Sequence, residues 1–499
     1  MKRKLLAISL LLVCAMSACK QTPDVSEWEE AYAEEETVTQ DSETGSEEES
    51  EEMNTSVLPA KFNLVEEGRA RMPELGSDDM YADAYQAVCA MESNIVSQGE
   101  GTLDNVRLYA PHLMYYLVSE VEEVAEDAPD GCYMRGAPRT AMLSAPFFPG
   151  ITVDQLANGV GPISDQIVED YDLSISGHNE LFQELAGIEA AGMMSKYDRD
   201  WLLKDANYYS MDDTENIKKI LMEKGAMQIP VHVMSRNEYN SVFNKATILT
   251  PNETMVLVGW DDDFPRENFG TYTPEHNGAW LALDMMAGAY GGDGYFWISY
   301  EDKTLCDVYA FRMETADNYQ HNFHLDGGYS GHFLKLEDGW NYVANVYTNE
   351  LDTPQSVEAV GIYLKAIEAT CEVQVYLNPE AGKPMSGTPL LSKPVTEYFQ
   401  YEGYHTIELE ETIEPVLPGD TFSVVIHVTL SETEQEDPGV WADGTSGAYH
   451  ATQQSGTSFM GRERYSSINF SDVSTHRALN NLHWAEISPF SRSNFLPMS

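Results

Sequence analysis

Positive charge is what this chain lacks most. Its 499 residues carry 29 Lys and Arg against 82 Asp and Glu, a formal net charge of −53. Such a surface repels phosphate backbones and anionic lipid, so nucleic acid is excluded as a partner. Cysteine is also scarce, with six in the whole chain, and the spacing fits no zinc pattern. The only strongly apolar run, Leu5 to Val13, is too short to span a bilayer. What remains is a chain long enough for two or three domains, each with its own core.

The N-terminus divides from the rest by composition. Lys2, Arg3 and Lys4 precede the apolar run, and small residues lead to Cys19. This is the layout of a secretory signal over residues 1–18. The run Met16-Ser17-Ala18-Cys19 resembles a bacterial lipoprotein signal, which implies that Cys19 is lipidated and becomes the first mature residue; ordinary secretory cleavage near Ala18 is the alternative. From Gln21 to Glu52 there are fourteen Asp and Glu and no Lys or Arg. A segment so charged and so poor in large apolar residues repels itself and stays extended. Residues 19–57 read as an acidic tether. After the signal, Cys89, Cys132, Cys306 and Cys371 remain besides Cys19. An exported chain permits disulfides, but four cysteines allow three pairings, and buried free thiols fit equally well.

Three stretches in the middle of the chain share one pattern. The first begins "LPAKFNL" at Leu58 and continues to "AMESN", Ala90 to Asn94. In it Tyr85, Val88, Met91 or Glu92, and Ile95 recur at helical spacing. The second is "VLVGWDD", Val256 to Asp262, which alternates as a core strand does. The third is "NGAWLALDMMAGAYGGDGYFWISYED", Asn277 to Asp302. Together they resemble the blocks of papain-like cysteine peptidases that carry the nucleophilic Cys, the His and the Asn. Aligned on those blocks, the Cys position falls on Ala82, the His position on Glu253 and the Asn position on Asp284. Leu75 stands where the oxyanion-hole Gln belongs. The resemblance thus implies a papain-like fold without its catalytic residues. Thiol-based acyl transfer needs a thiolate activated by an imidazole, and alanine offers no nucleophile. Cys89 lies seven residues along the helix from Ala82, about 10 Å away at the usual rise. It reads as a buried helix cysteine. Glu253 and Asp284, with Asp79 and Asp83 nearby, would leave an acidic cleft. Between the blocks, "DDTENIKKILMEKGAM" has an Asp cap, apolar Ile217, Ile220 and Leu221, and a terminating Gly225.

From about Asp317 the pattern changes to short alternating strands separated by Gly and Pro. Val360, Ile362 and Leu364 share one face, as do Cys371, Val373, Val375 and Leu377, and again Phe422, Val424, Ile426 and Val428. This is the signature of an antiparallel sandwich. The stretch 320–490 resembles a lectin-like domain of bacterial surface proteins. Trp340, Tyr347, Trp441 and Tyr449 are the rings that would stack on a sugar.

The expected fold class is α+β: a papain-like domain with a helical and a β half, followed by an all-β lectin-like sandwich. The expected divisions are 1–18 (signal), 19–57 (tether), 58–316 (papain-like), 317–490 (lectin-like) and 491–499 (tail). The expected function is binding of a peptide, glycan or glycoprotein at the envelope, with the membrane reached through lipidated Cys19. The cleft candidates are Asp79, Asp83, Glu253 and Asp284. No cofactor or metal is implied. The alternative is an active cysteine-type peptidase or a hydrolase with a rebuilt site.

Overall fold

The computed structural model describes residues 58–72, 82–121, 131–135, 149–164, 178–233, 240–247, 249, 251–270, 272–284, 293–325, 332–409, 411, 413–435, 437–442, 449–450, 455–464, 467–473 and 486–489. The signal, the tether and Cys19 lie outside them, as do Leu75 and Asp79.

The helix Ala82–Ser97 is the axis of the first domain. From Gln86 to Ile95 it is buried all round, because helices and strands enclose it. Its apolar residues Val88, Met91 and Ile95 are core. Its polar run is equally enclosed, and each member has a partner. Glu92 accepts from the Leu108 amide at 2.8 Å and pairs with Arg71 at 3.2 Å. Ser93 Oγ accepts from the Ala226 amide at 2.9 Å. Asn94 donates to the Lys224 carbonyl at 2.9 Å and accepts from the Met313 amide at 3.0 Å. Buried polar groups persist only when paired in this way. Ala110–Leu117, Pro149–Ala157 and His178–Ala190 complete the helical half among the described residues.

The β half is an antiparallel array built around the strand Glu253–Asp261. That strand lies between Met227–Val231 and Ala279–Leu283. It is buried from Thr254 to Trp260, covered by the central helix on one face and by core residues on the other. Residues Lys61–Asn63 pair with its far end, placing Phe62 opposite Trp260 and Asn63 opposite Gly259. A Cβ on Gly259 would lie 2.0 Å from the Phe62 carbonyl oxygen, so glycine is required for this close approach. The helix Thr214–Lys224 is capped by Asp213, whose side chain accepts from the Asn216 amide at 3.1 Å, and ends at Gly225, φ +94°.

The second domain is a sandwich. One sheet contains Trp340–Thr348, Ala369–Leu377, Thr421–Leu430 and Ser458–Arg464; the other contains His332–Lys335, Gln355–Lys365, Gly403–Glu408 and Gly439–Ala442. Val360, Ile362, Leu364, Cys371, Val373, Val375, Phe422, Val424, Ile426 and Val428 meet in its core. The strand Gln355–Lys365 departs from simple alternation. It is buried on both faces, because Tyr363 turns away from the sandwich and enters the core of the first domain.

Among the described residues the two domains share two sheets: Tyr449–His450 pairs antiparallel with Gly131–Arg135, and a second strand joins the large sheet of the first domain. Gly403–Glu408 pairs antiparallel with Trp201–Ser210 of the first domain, with Gly403 opposite Asn207, Tyr404 opposite Ala206 and His405 opposite Asp205. Tyr404 is fully buried in the first domain's core. A Cβ on Gly403 (φ +143°) would stand 1.9 Å from the Ala206 carbonyl oxygen. His405 is buried, stacks on Phe399 at 4.1 Å and donates from Nε2 to the Tyr401 carbonyl at 3.0 Å. Burial lowers its pKa to about 4. Burial also raises Glu402 to about 7, with Lys365 opposing the shift and Asp307 adding to it.

Two pH slopes follow at this junction. Between about 4 and 6.5 the folded state binds fewer protons at His405 than the unfolded chain, so that contribution to stability grows with pH. At Glu402 the folded state binds more protons between about 4.5 and 7, so its contribution is lost as pH rises. Glu402→Gln should therefore raise Tm at pH 8, with the gain shrinking towards pH 5. A gain independent of pH in calorimetry would show that Glu402 is not held protonated. Gly403→Ala should destabilise the protein by about 3 kcal/mol or more, since the clash is with backbone that cannot yield.

Candidate functional site

The three aligned positions lie at the starts or ends of separate elements of the first domain. Ala82 is the first residue of the central helix. A helix N-terminus is where a thiol pKa is lowered and a thiolate stabilised. The residue at that place has no sulfur. The side chains of Ala82 and Asp83 lie outside the described set, although their backbone begins the helix.

Glu253 opens the strand Glu253–Asp261 and is half-buried, with Val231 as its register partner. Its neighbour Thr254 is fully buried and donates from Oγ1 to Gln86 Oε1 at 2.8 Å. Gln86 lies four residues after Ala82, about one helical turn. The first turn of the helix and the start of the strand are therefore in contact.

Asp284 follows the strand Ala279–Leu283 and is fully buried. Its amide donates to the Gly294 carbonyl at 2.9 Å. The last pair of this ladder is Val256 with Leu283, and Asp284 is the next residue beyond it. Residues 285–292 are outside the described set.

Cys89 is not placed to act as a nucleophile. It is 8 % exposed, and burial, reinforced by the charge of Glu92, pushes its thiol far above the ordinary range. Cys371 is also a buried free thiol, while Cys306 is disulfide-bonded. One residue near the site was not singled out from sequence. His232 follows Val231, the register partner of Glu253. Its backbone carbonyl accepts from Asn244 Nδ2 at 3.0 Å, and no local motif marks it.

The candidate sugar-stacking rings fare differently from one another. Tyr347 is a core residue, 4 % exposed, with its ring stacked on Phe422 at 5.3 Å, so its face has no room for a sugar. It points inward because it alternates with half-buried Val346 on a strand whose inner face is the sandwich core. Trp441 packs against Phe333 and Tyr363, each at 5.9 Å, and Trp340 packs against the sandwich core. The side chain of Tyr449 is outside the described set.

Comparison with known proteins identifies this arrangement in two stages. Residues 320–483 match the family model described as a lectin-like domain. The architecture is a papain-like peptidase fold followed by a lectin-like domain. Solved structures of Cwp84 share it across both domains. The clostridial cysteine protease Cwp84 after propeptide cleavage superposes with a TM-score of 0.63 at 20% identity, covering 83% of this chain and 95% of that one. The cysteine protease and lectin-like domains of Cwp84, a surface layer associated protein of Clostridium difficile, superpose with a TM-score of 0.64 at 19% identity, covering 84% and 86% respectively. No curated protein matches the chain.

The polar run of the central helix should matter more to folding than the aligned catalytic positions do. Asn94→Ala leaves a buried amide and a buried carbonyl without partners and should cost about 2–4 kcal/mol in urea unfolding. Asn94→Asp keeps the acceptor for Met313 and should cost less. Equal losses for the two variants would mean that packing, not hydrogen bonding, sets the requirement.

Proposed function

We propose that this protein is a cell-surface lipoprotein whose papain-like domain binds rather than cleaves. In this reading Cys19 anchors it on the outer face of the membrane and the acidic tether carries the two folded domains outward. Its ligand is an extended peptide, or the peptide part of a glycoprotein, with the lectin-like domain contributing glycan contacts. The observation that carries the reading is chemical. The helix N-terminus that serves this fold as the nucleophile's seat carries Ala82, and the two aligned partner positions carry carboxylates, Glu253 and Asp284. Such a cleft attracts a Lys or Arg side chain and has nothing with which to attack its carbonyl. Surface placement is supported by the description of Cwp84 as surface layer associated.

A second reading is a hydrolase with a rebuilt site, in which His232, the residue after the register partner of Glu253, takes part. An imidazole and a carboxylate together can serve as acid and base towards a bound water.

One set of measurements separates the two. The purified protein should not hydrolyse peptide substrates and should not be labelled near Ala82 by thiol-directed peptidase probes. In isothermal titration it should prefer a basic peptide to a neutral one of equal length, and the preference should weaken with added salt. The double variant Glu253→Gln/Asp284→Asn should lose most of that preference. Equal affinity of wild type and double variant for the basic peptide would overturn the cleft reading. Turnover abolished by His232→Ala would establish the rebuilt hydrolase instead.

A further inference from the structure

A cavity of about 710 Å³ lies where the two domains meet, away from the cleft. Its volume is within the range of about 300–1,000 Å³ common for ligand sites. Tyr197 and Arg199 enter it from the first domain, and Asp317, Tyr319 and Asn322 from the connection. Glu350 and Thr457 enter it from the sandwich. Neither domain alone forms it.

Its chemistry combines one exposed aromatic ring, Tyr197, and half-buried ones with planar polar groups. Tyr197 is one of the few large apolar side chains on the described surface, 52 % exposed, and His324 meets its ring edge-on at 6.3 Å. Phe323 is pinned from below by Phe422 and Tyr347, at 5.6 and 6.3 Å. Arg199 donates to the Tyr319 carbonyl at 3.3 Å, which fixes the wall of the connection. Asn322 donates to the Ala157 carbonyl at 2.9 Å, and its Oδ1 has no protein donor. Carboxylates and amides accept and donate in pairs to vicinal hydroxyls. An aromatic face takes the C–H side of a pyranose ring through burial of apolar area.

We propose that this interdomain cavity is a saccharide site for a neutral or amino-sugar oligosaccharide. A peptide fits it less well. One common mode of peptide binding, addition to a free strand edge, is closed here. The sandwich strand that supplies Val346, Tyr347 and Thr348 is paired on both sides, with Thr421–Leu430 and with Ser458–Arg464. Acidic sugars are disfavoured because Asp198, Asp317 and Glu350 line the cavity against the single guanidinium of Arg199. The site is separate from the cleft between the central helix and Glu253, and the proposal does not depend on what that cleft does.

The test is titration of the full chain with a tetramer of N-acetylglucosamine, with maltotetraose, with a uronic-acid tetramer and with a basic tetrapeptide. At least one of the first two should bind, and more tightly than the uronic-acid tetramer. Tyr197→Ala should weaken that binding at least tenfold, and Glu350→Gln severalfold. Both positions are exposed, so both variants should fold, with unchanged Tm as the check. The double variant Glu253→Gln/Asp284→Asn should leave sugar binding unchanged, which separates this site from the cleft. No binding by either neutral tetramer, binding indifferent to Tyr197→Ala, or Tyr197-dependent binding of the tetrapeptide alone would overturn the proposal.

Discussion

Three backbone pairs hold this molecule's plan together. Gly403, Tyr404 and His405 lie against Asn207, Ala206 and Asp205, and through them a strand of the sandwich becomes a strand of the papain-like domain. Ladder bonds of this kind fix distance and direction at once. The side chains then follow: Tyr404 and Tyr363 enter the first domain's core, and His405 is shut away from water. The cavity at the junction exists only because the two halves are held at this angle. A flexible linker between independent domains would give no such fixed wall.

The papain-like frame is held by buried contacts that lie apart from Ala82, Glu253 and Asp284. Glu92, Ser93 and Asn94 tie the central helix to three separate neighbours through buried hydrogen bonds. Gly259 permits the approach of Phe62, and Lys218 pairs with Asp262, which also accepts from the Tyr300 hydroxyl at 2.7 Å. Each of these would cost stability if changed, whatever the protein does. Ala82, Glu253 and Asp284 are not part of these contacts.

What could be read from the sequence follows from the same distinction. The buried helix and the strand after Glu253 announce themselves through local periodicity, and the sandwich strands through alternation. Capping by Asp213 and termination at Gly225 are local chemistry and equally legible. Contacts set by register were not. The two-faced burial of the strand Gln355–Lys365 depends on a neighbouring domain, so alternation alone assigned Tyr363 no core role. Tyr347 looked available for stacking because an aromatic residue in a sandwich strand carries no mark of which face it occupies. His232 came to notice only once its strand was paired with that of Glu253.

The larger shared sheet has a consequence for how the chain can be divided. The strand Trp201–Ser210 is paired on one side by Asp307–Thr315 and on the other by Gly403–Glu408. Remove everything after residue 320 and that second side becomes an open row of amides and carbonyls. Beside it would lie the apolar surface that Tyr363 and Tyr404 now cover. Bare sheet edges recruit other chains, and natural proteins hide them. The lectin-like domain is thus a lid on an otherwise adhesive margin, and the papain-like half is not a module that can be cut free and kept soluble.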